Sequence, residues 1–407
     1  MQPHCRVPSW IHIRYSGTGH EAMRALFADL TTIAALMQIR DVRFIALRQP
    51  LQQPLRLAWG AMHHRNFGLV LVETDAGISG VGETSVNFPS WAIVERKATI
   101  EEGLKPLLVG EDPLNVAGLW QKMLHAFSRL GVLWGKGAVM SAIGGVDIAL
   151  WDIAGKAHGK PIYALLGGSQ PARAPLYATG LDPAQLADSA RRFVDQGYRA
   201  VKVRIGFDEA RDIANVEAVR RAVGDAVEVL VDANMAYDLD RAKRMAEALQ
   251  PYRPYWLEEP LLASDLEGYR TLKEHTDIPL AAGENQFDVA DATALLDTNA
   301  IRYLMPDPTR AGGLSEAQRI CALARARGYP YSPHHYGSDV GFAAALHLIS
   351  AVTGADYMLR DVSPAPLRES VLREPITVVD GCALTPTGPG LGIELNWEVV
   401  LAHQVRL

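Results

Sequence analysis

Cysteine is scarce in this chain, with three in 407 residues, at Cys5, Cys321 and Cys382. They are odd in number, far apart and without metal-ligand spacing, which excludes a disulfide framework and a thiolate cluster. They read as reduced and structural, and the expected compartment is the cytoplasm. Long apolar runs are missing too: none reaches the roughly 18 uninterrupted residues that a membrane span needs. There is no basic surplus, since 46 acidic residues outweigh 40 Lys and Arg for a net charge of −6. That balance removes the electrostatic footprint of nucleic-acid or anionic-membrane binding. No Gly-x-Gly-x-x-Gly opens a first βα turn, so a dinucleotide-binding doubly wound sheet is not favoured.

What is present suits a globular protein. Apolar residues make up 48% and charged residues 21%, an ordinary balance for a packed domain. The length exceeds one ordinary core and accommodates a barrel of roughly 250 residues with a second domain. Residues 1–36 carry neither strand alternation nor the basic-then-apolar pattern of a signal peptide. The expectation is that translation starts near Met37, or that this stretch is a loosely packed arm.

From Ile39 the chain reads as strands. "NFGLVLVETDAGISGVGE" alternates around Thr74-Asp75-Ala76-Gly77, a hairpin pattern. Residues 91–165 turn helical: Ile143, Val146, Leu150, Trp151 and Ile153 recur at helical spacing, and Gly159-Lys160-Pro161 stops the run. Strands followed by helices indicate an α+β unit over 37–165. Beyond it, short apolar strands ("RAVKVRI", "VEVLVDA", "YWLEE", "PLAAGE", "IRYLMPD", "YPYSPH") alternate with amphipathic helices such as "DEARDIANVEAVRRAV". Repeated βα units predict a parallel sheet closed into a (β/α) barrel over 166–369. The turn-rich segment 370–407 is expected to return to the first domain.

The chemistry shows in what ends each barrel strand. "VLVDAN" ends in Asp232, "YWLEEP" in Glu258 and "LAAGEN" in Glu284, spaced 26 residues apart and then 26 again. One carboxylate per βα unit delivers three to the same barrel end, on strands roughly 5 Å apart. Acids after strands are often turn formers or helix caps, and Glu259-Pro260 reads as a solvated corner. Three at equal spacing would repel one another strongly without a cation among them. Oxygen-only ligation suits Mg²⁺. One unit earlier, Lys202 and Arg204 share a strand face and point into the barrel, while Val201, Val203 and Ile205 face the helices. Burial beside Arg204 is expected to lower the Lys202 pKa and make it a base, while Arg204 stays charged and holds a carboxylate. Asp307 ends the next strand, and "SPHHYG" offers His334 or His335 as its imidazole partner, an acid–imidazole pair suited to general-base work.

These motifs resemble the mandelate racemase subgroup of the enolase superfamily from about Met37 to the C-terminus. The resemblance rests on "GGVDIALWDIAGKAHGKPIYALLGG", the Lys-x-basic strand, "VDAN", "WLEEP", "GEN", "MPDPTRAGG" and "PH", in this order and spacing. It implies an α+β capping domain, built from both chain ends, over a modified (β/α)₇β barrel. It implies Mg²⁺ held by Asp232, Glu258 and Glu284, an Asp307–His334 dyad with His334 rather than His335, and a symmetric homo-oligomer, often an octamer. Two departures matter. Many members carry Lys-x-Lys, but the second position here is Arg204, a poor proton acceptor, which argues against racemisation. Where members often place a Glu, this chain has Arg360 and Asp361, so a second substrate carboxylate, and hence a diacid sugar, is considered.

The expected activity is therefore abstraction of the proton next to a carboxylate followed by loss of hydroxide: an acid-sugar dehydratase, a hydro-lyase. Racemisation, epimerisation, cycloisomerisation and a non-catalytic barrel are the alternatives. Arg204, Asn234 and Arg360, with His64 and Arg65 from the capping loop "AWGAMHHRNFG", form the expected substrate-binding set. His63, Asn87 and Phe88 lie on the same loops, whose polar and cationic groups suit a hydroxylated anion.

Overall fold

The computed structural model describes residues 37–57 and 60–407. The expectations for residues 1–36 lie outside the described residues. The chain begins its described course with three antiparallel strands, β1 (Ile39–Leu57), β2 (Gly60–Thr74) and β3 (Ser79–Thr84). They are paired in the order β1-β2-β3. The β2–β3 connection is the turn expected at Thr74–Gly77, closed by Thr74 N to Ile78 O at 3.1 Å. Helices α1 (Ala92–Ala98), α2 (Val116–Trp134) and α3 (Lys136–Ala157) follow. By length and composition α3 could cross a membrane, yet it is a core helix: Ile143, Val146, Ile148, Leu150 and Ile153 are wholly buried. Its apolar side chains pack against β3, and its buried Asp152 accepts the Val81 amide at 2.9 Å.

Parallel strands then alternate with helices. In chain order they are β4 (Arg173–Thr179), α4 (Leu186–Asp195), β5 (Ala200–Arg204), α5 (Glu209–Val223), β6 (Glu228–Asp232), α6 (Leu239–Leu249) and β7 (Leu257–Glu258). Then come α7 (Leu266–His275), β8 (Leu280–Ala282), α8 (Val289–Leu296), β9 (Ile301–Leu304), α9 (Leu314–Ala326), α10 (Asp339–Ala351) and β10 (Met358–Asp361). Strands β4 to β9 pair in sequence, and β10 pairs back onto β4. Tyr331 closes the ring as a single-residue strand, bridging Leu304 on one side and Ala355 on the other. Eight strands with seven full helices make a (β/α)₇β barrel. Strands β4 and β10 carry the least distinctive patterns ("RAPLYAT" and "MLRD") and are the two that alternation alone does not mark.

Four of the barrel helices start the same way. Asp208, Asp238, Asp265 and Asp288 each accept the amide three residues on, at 2.8–2.9 Å. A carboxylate there satisfies an otherwise orphaned helix N–H and meets the positive end of the helix dipole. These are the acids that cap helices, and the strand-end carboxylates are a separate set. Between strands and helices lies the main apolar layer, including Val201, Val203 and Ile205 as expected. A second cluster, with Tyr177, Leu230, Trp256, Ala281, Tyr303 and Leu359, fills the barrel interior.

The tail first adds β12 (Cys382–Leu384) and β11 (Val378–Val379) beside β4. It then turns to the opening domain, where Leu391 N donates to Asp152 Oδ1 at 2.8 Å and Val405 N to Ala46 O at 2.9 Å.

Candidate active site

The strand ends deliver their side chains in register. Arg204 on β5, Asp232 on β6 and Glu258 on β7 are direct Cα partners across neighbouring strands. Lys202, two residues before Arg204, therefore points inward beneath them and is 2% exposed. Its Nζ lies 2.8 Å from Asp232 Oδ2 and 2.6 Å from Glu258 Oε1. Arg204 Nη1 approaches the same Asp232 oxygen at 3.1 Å. Trp256 Nε1 donates to the other Glu258 oxygen at 3.0 Å. Asp232 also accepts the Asn234 amide at 2.9 Å, so it keeps a turn-forming role beside its charged contacts. Glu284 leaves the barrel wall after Gly283, whose φ of +136° is a backbone that side-chain-bearing residues rarely adopt.

Across this row stands the dyad. His334 Nδ1 is 2.8 Å from Asp307 Oδ2, and its Nε2 is 3.3 Å from Glu284 Oε2. Asp307 Oδ1 is fixed by the Thr309 amide and hydroxyl, both at 2.7 Å. Burial alone would raise the Asp307 carboxyl, but His334 and Arg310 hold it down at about 2. An ionised Asp307 facing Nδ1 fixes that nitrogen as the donor and leaves Nε2 to face the cavity. His335 points elsewhere: its Nε2 contacts Ser338 O at 2.8 Å, and burial pulls its pKa down to about 4. The neighbouring histidines are thus separated by environment into one cavity-facing ring and one packed ring.

The electrostatics depart from expectation at Lys202. Burial lowers its pKa, but Asp232 and Glu258 more than reverse this, and the ammonium is held well above its ordinary value. Conversely, burial and the Asp232 charge push the Glu258 carboxyl up. Glu259 is no solvated corner. It is 1% exposed, accepts Asn285 Nδ2 on both oxygens at 3.0 and 2.8 Å, and is raised strongly by burial and by Glu284. Arg310 is the partner that strand-end reasoning passed over, although it sits in "MPDPTRAGG"; its Nη1 is 3.1 Å from Glu284.

Asp232, Glu258, Glu259 and Glu284 thus crowd hard oxygen donors into a buried space, with Lys202, Arg204 and Arg310 as counter-charges. That donor chemistry fits Mg²⁺. Among the described residues, no three acidic or imidazole side chains form a ready-made cage. Lys202 stands between Asp232 and Glu258, while Arg310 and His334 draw Glu284 aside. A bound ion would take the place of Lys202 and Arg310 beside these carboxylates.

A cavity of about 930 Å³ opens above, lined by Arg204, Asn234, Glu284, Arg310, His334 and Tyr336 on the barrel side. Of the expected substrate-binding set, Arg204 and Asn234 reach it. Arg65 does not: it is fully buried, pairs with Asp361 at 2.7 Å and stacks 3.9 Å over Tyr336. Arg360 does not either, because it is committed to Asp339 at 2.6 Å and Glu369 at 3.0 Å. His64 is solvent-exposed and outside the cavity wall. The reason is common to both arginines: each sits beside a buried carboxylate that needs a partner more than a ligand does. The capping side is also less polar than expected, with Met62, Phe88, Trp91 and Phe127 in the wall beside Asn87 and the buried Arg96.

Comparison with known proteins assigns this architecture. Residues 39–167 match the profile of the mandelate racemase / muconate lactonizing enzyme N-terminal domain, and residues 185–399 match the enolase C-terminal domain-like profile. The chain belongs to the mandelate racemase / muconate lactonizing enzyme family. A D-galactarolactone cycloisomerase of Agrobacterium fabrum is 32% identical, covering 89% of this chain and 98% of that one. A D-galactonate dehydratase of Verminephrobacter eiseniae is 35% identical, over 81% of this chain and 89% of that one. A racemase of Streptomyces coelicolor, solved with bound magnesium, superposes with a TM-score of 0.82 at 31% identity, over 90% of this chain and all of that one. The chain is therefore an enolase-superfamily enzyme with a capping domain and a TIM-type barrel, and its curated relatives include lyases.

Proposed function

We propose that this enzyme is a Mg²⁺-dependent acid-sugar dehydratase. The observation that carries the reading is the opposition, across one cavity, of a carboxylate row on consecutive strands and a single cavity-facing imidazole backed by an ionised aspartate. Asp232, Glu258 and Glu284 would hold the ion. When bound, Mg²⁺ supplies electrostatic stabilisation of the charge that develops on a substrate carboxylate once its α-proton leaves.

The chain's own residues do the rest. Arg204 stays charged at the cavity wall and orients the anionic end of the substrate. His334 Nε2 takes the α-proton, with Asp307 stabilising the imidazolium through Nδ1–H. The electron pair of that C–H bond forms the enediolate. As it collapses, the β-carbon–oxygen bond breaks, and the proton on His334 leaves with the departing hydroxyl as water. The enol that remains becomes a 2-keto-3-deoxy acid. Lys202, protonated between two carboxylates, is suited to holding that site's charge rather than to serving as a second base. One base fits elimination better than racemisation.

The relatives include both a dehydratase and a cycloisomerase, and the product separates the two. Purified enzyme incubated with mono- and diacid sugars and Mg²⁺ is expected to give a keto product lighter by one water, and chelation is expected to abolish it. A product of unchanged mass would replace dehydration by isomerisation. A small-molecule substrate, a cytoplasmic setting and a homo-oligomeric assembly complete the reading.

A further inference from the structure

Glu83, in the capping domain, takes no part in the chemistry above. It is the penultimate residue of β3, paired with Leu69, and is 1% exposed. Its carboxylate faces the start of α10, whose N-cap Ser338 lies three residues after His335. Glu83 Oε1 accepts the Ser338 amide at 2.7 Å. Oε2 accepts the Ser338 hydroxyl at 2.7 Å and the Gly341 amide at 2.8 Å. No cation lies within ion-pair distance of it among the described residues. A side chain at Gly341 would place its Cβ 2.8 Å from Glu83 Oε2 and 2.5 Å from the His335 ring, so the carboxylate fills the space left by glycine. Glu83 thus takes the amides of the N-cap residue Ser338 and of Gly341 from another domain, while Ser338 Oγ accepts the Val340 amide between them.

The same strand reaches the other half of the dyad. Ser85 N, two residues on, donates to Thr309 O at 3.2 Å. Thr309 in turn fixes Asp307 Oδ1 by two bonds of 2.7 Å. The two loops also meet directly, His334 N donating to Pro306 O at 3.1 Å. Within three residues, the exit of β3 is bonded to both loops that carry the proton-transferring pair.

We propose that Glu83 is a positioning residue that sets the geometry of the His334–Asp307 dyad from the capping domain, an inference that rests on the proposed role of that dyad. A carboxylate is the right group for this. It accepts several donors at once, and a negative charge is favoured at a helix N-terminus. Removing it leaves buried N–H groups unpaired and lets the loop relax, and small displacements of a base are costly in rate.

The test uses the full chain with Mg²⁺ and the substitution Glu83→Gln, which keeps shape but replaces one acceptor oxygen by a donor. The expected result is a fall in kcat of about tenfold or more with KM within about twofold. Glu83→Asp should restore part of it. The loss carried by KM, or kcat within about twofold of the parent, would overturn the proposal. If Glu83→Gln does not fold, Ser338→Ala removes only the hydroxyl bond and should show the same split at smaller size. No such split there would overturn it equally. If no acid sugar is turned over, ¹³C-histidine spectra still decide. In the variant that folds, the His334 ring resonances should move, and unmoved resonances would refute the positioning role whatever the reaction is.

Discussion

Lys202 donates a 2.6 Å hydrogen bond to Glu258 inside the barrel, and both side chains are almost wholly removed from water. The same ammonium reaches Asp232, so one lysine compensates two carboxylates proposed to bind a divalent ion. Lys202→Met removes this compensation. Without metal, the variant is expected to lose about 3–5 kcal/mol of stability, the cost of stranding buried charge. Mg²⁺ should then restore more stability to the variant than it adds to the parent. Urea titrations with and without Mg²⁺ measure both, and equal stabilisation of the two proteins would contradict the shared-site account.

His334→Asn keeps a nitrogen near Asp307 but cannot take a proton. Turnover should fall by about 10²- to 10⁴-fold, the usual contribution of a positioned base. Mg²⁺ affinity, read by calorimetric titration, should stay near that of the parent because the proposed ligands lie on other strands. Normal turnover would remove His334 from the mechanism.

Asp307 gives the pH dependence its sign. Its folded-state pKa is depressed to about 2 by His334 and Arg310 acting against burial. Its contribution to stability is therefore complete above the ordinary carboxylate range near 4 and is lost as pH falls towards about 2. Asp307→Asn should lose that acid-side slope, which denaturant unfolding at stepped pH between those limits detects. Parallel curves for parent and variant would show that the carboxylate is not stabilised by its partners.

Arg360 is expected to behave as a structural group. Arg360→Met leaves Asp339 buried and unpaired, and the variant should lose about 3–5 kcal/mol. Its KM for any substrate should not change. A raised KM with unchanged stability would return Arg360 to the substrate-binding set.

The pattern of success and failure in reading the sequence has a physical cause. Backbone register carries Asp232, Glu258 and Arg204 to one barrel end, and register follows from a period of one βα unit, which spacing reveals. The same logic turns Lys202 inward because side chains alternate along a strand. Partner choice follows no such period. Arg65 and Arg360 look like free cations in one dimension, yet each meets a carboxylate far away in sequence, Asp361 and Asp339 respectively. Lys202 reads as acidified by burial beside Arg204, but the two carboxylates opposite it outweigh burial and like charge together. Glu259 reads as exposed until Asn285 is placed beside it. The short strand at Tyr331 is held by neighbours rather than by its own pattern.

The carboxylate row is tested most directly by locating a divalent ion. Crystals grown with Mn²⁺ in place of Mg²⁺, with anomalous scattering recorded at the manganese edge, report its position without reference to activity. The expected map has one strong peak coordinated by oxygens of Asp232, Glu258 and Glu284, with Lys202 turned away from at least one of them. A peak bound elsewhere, or none at saturating Mn²⁺ while Lys202 still bridges Asp232 and Glu258, would contradict it.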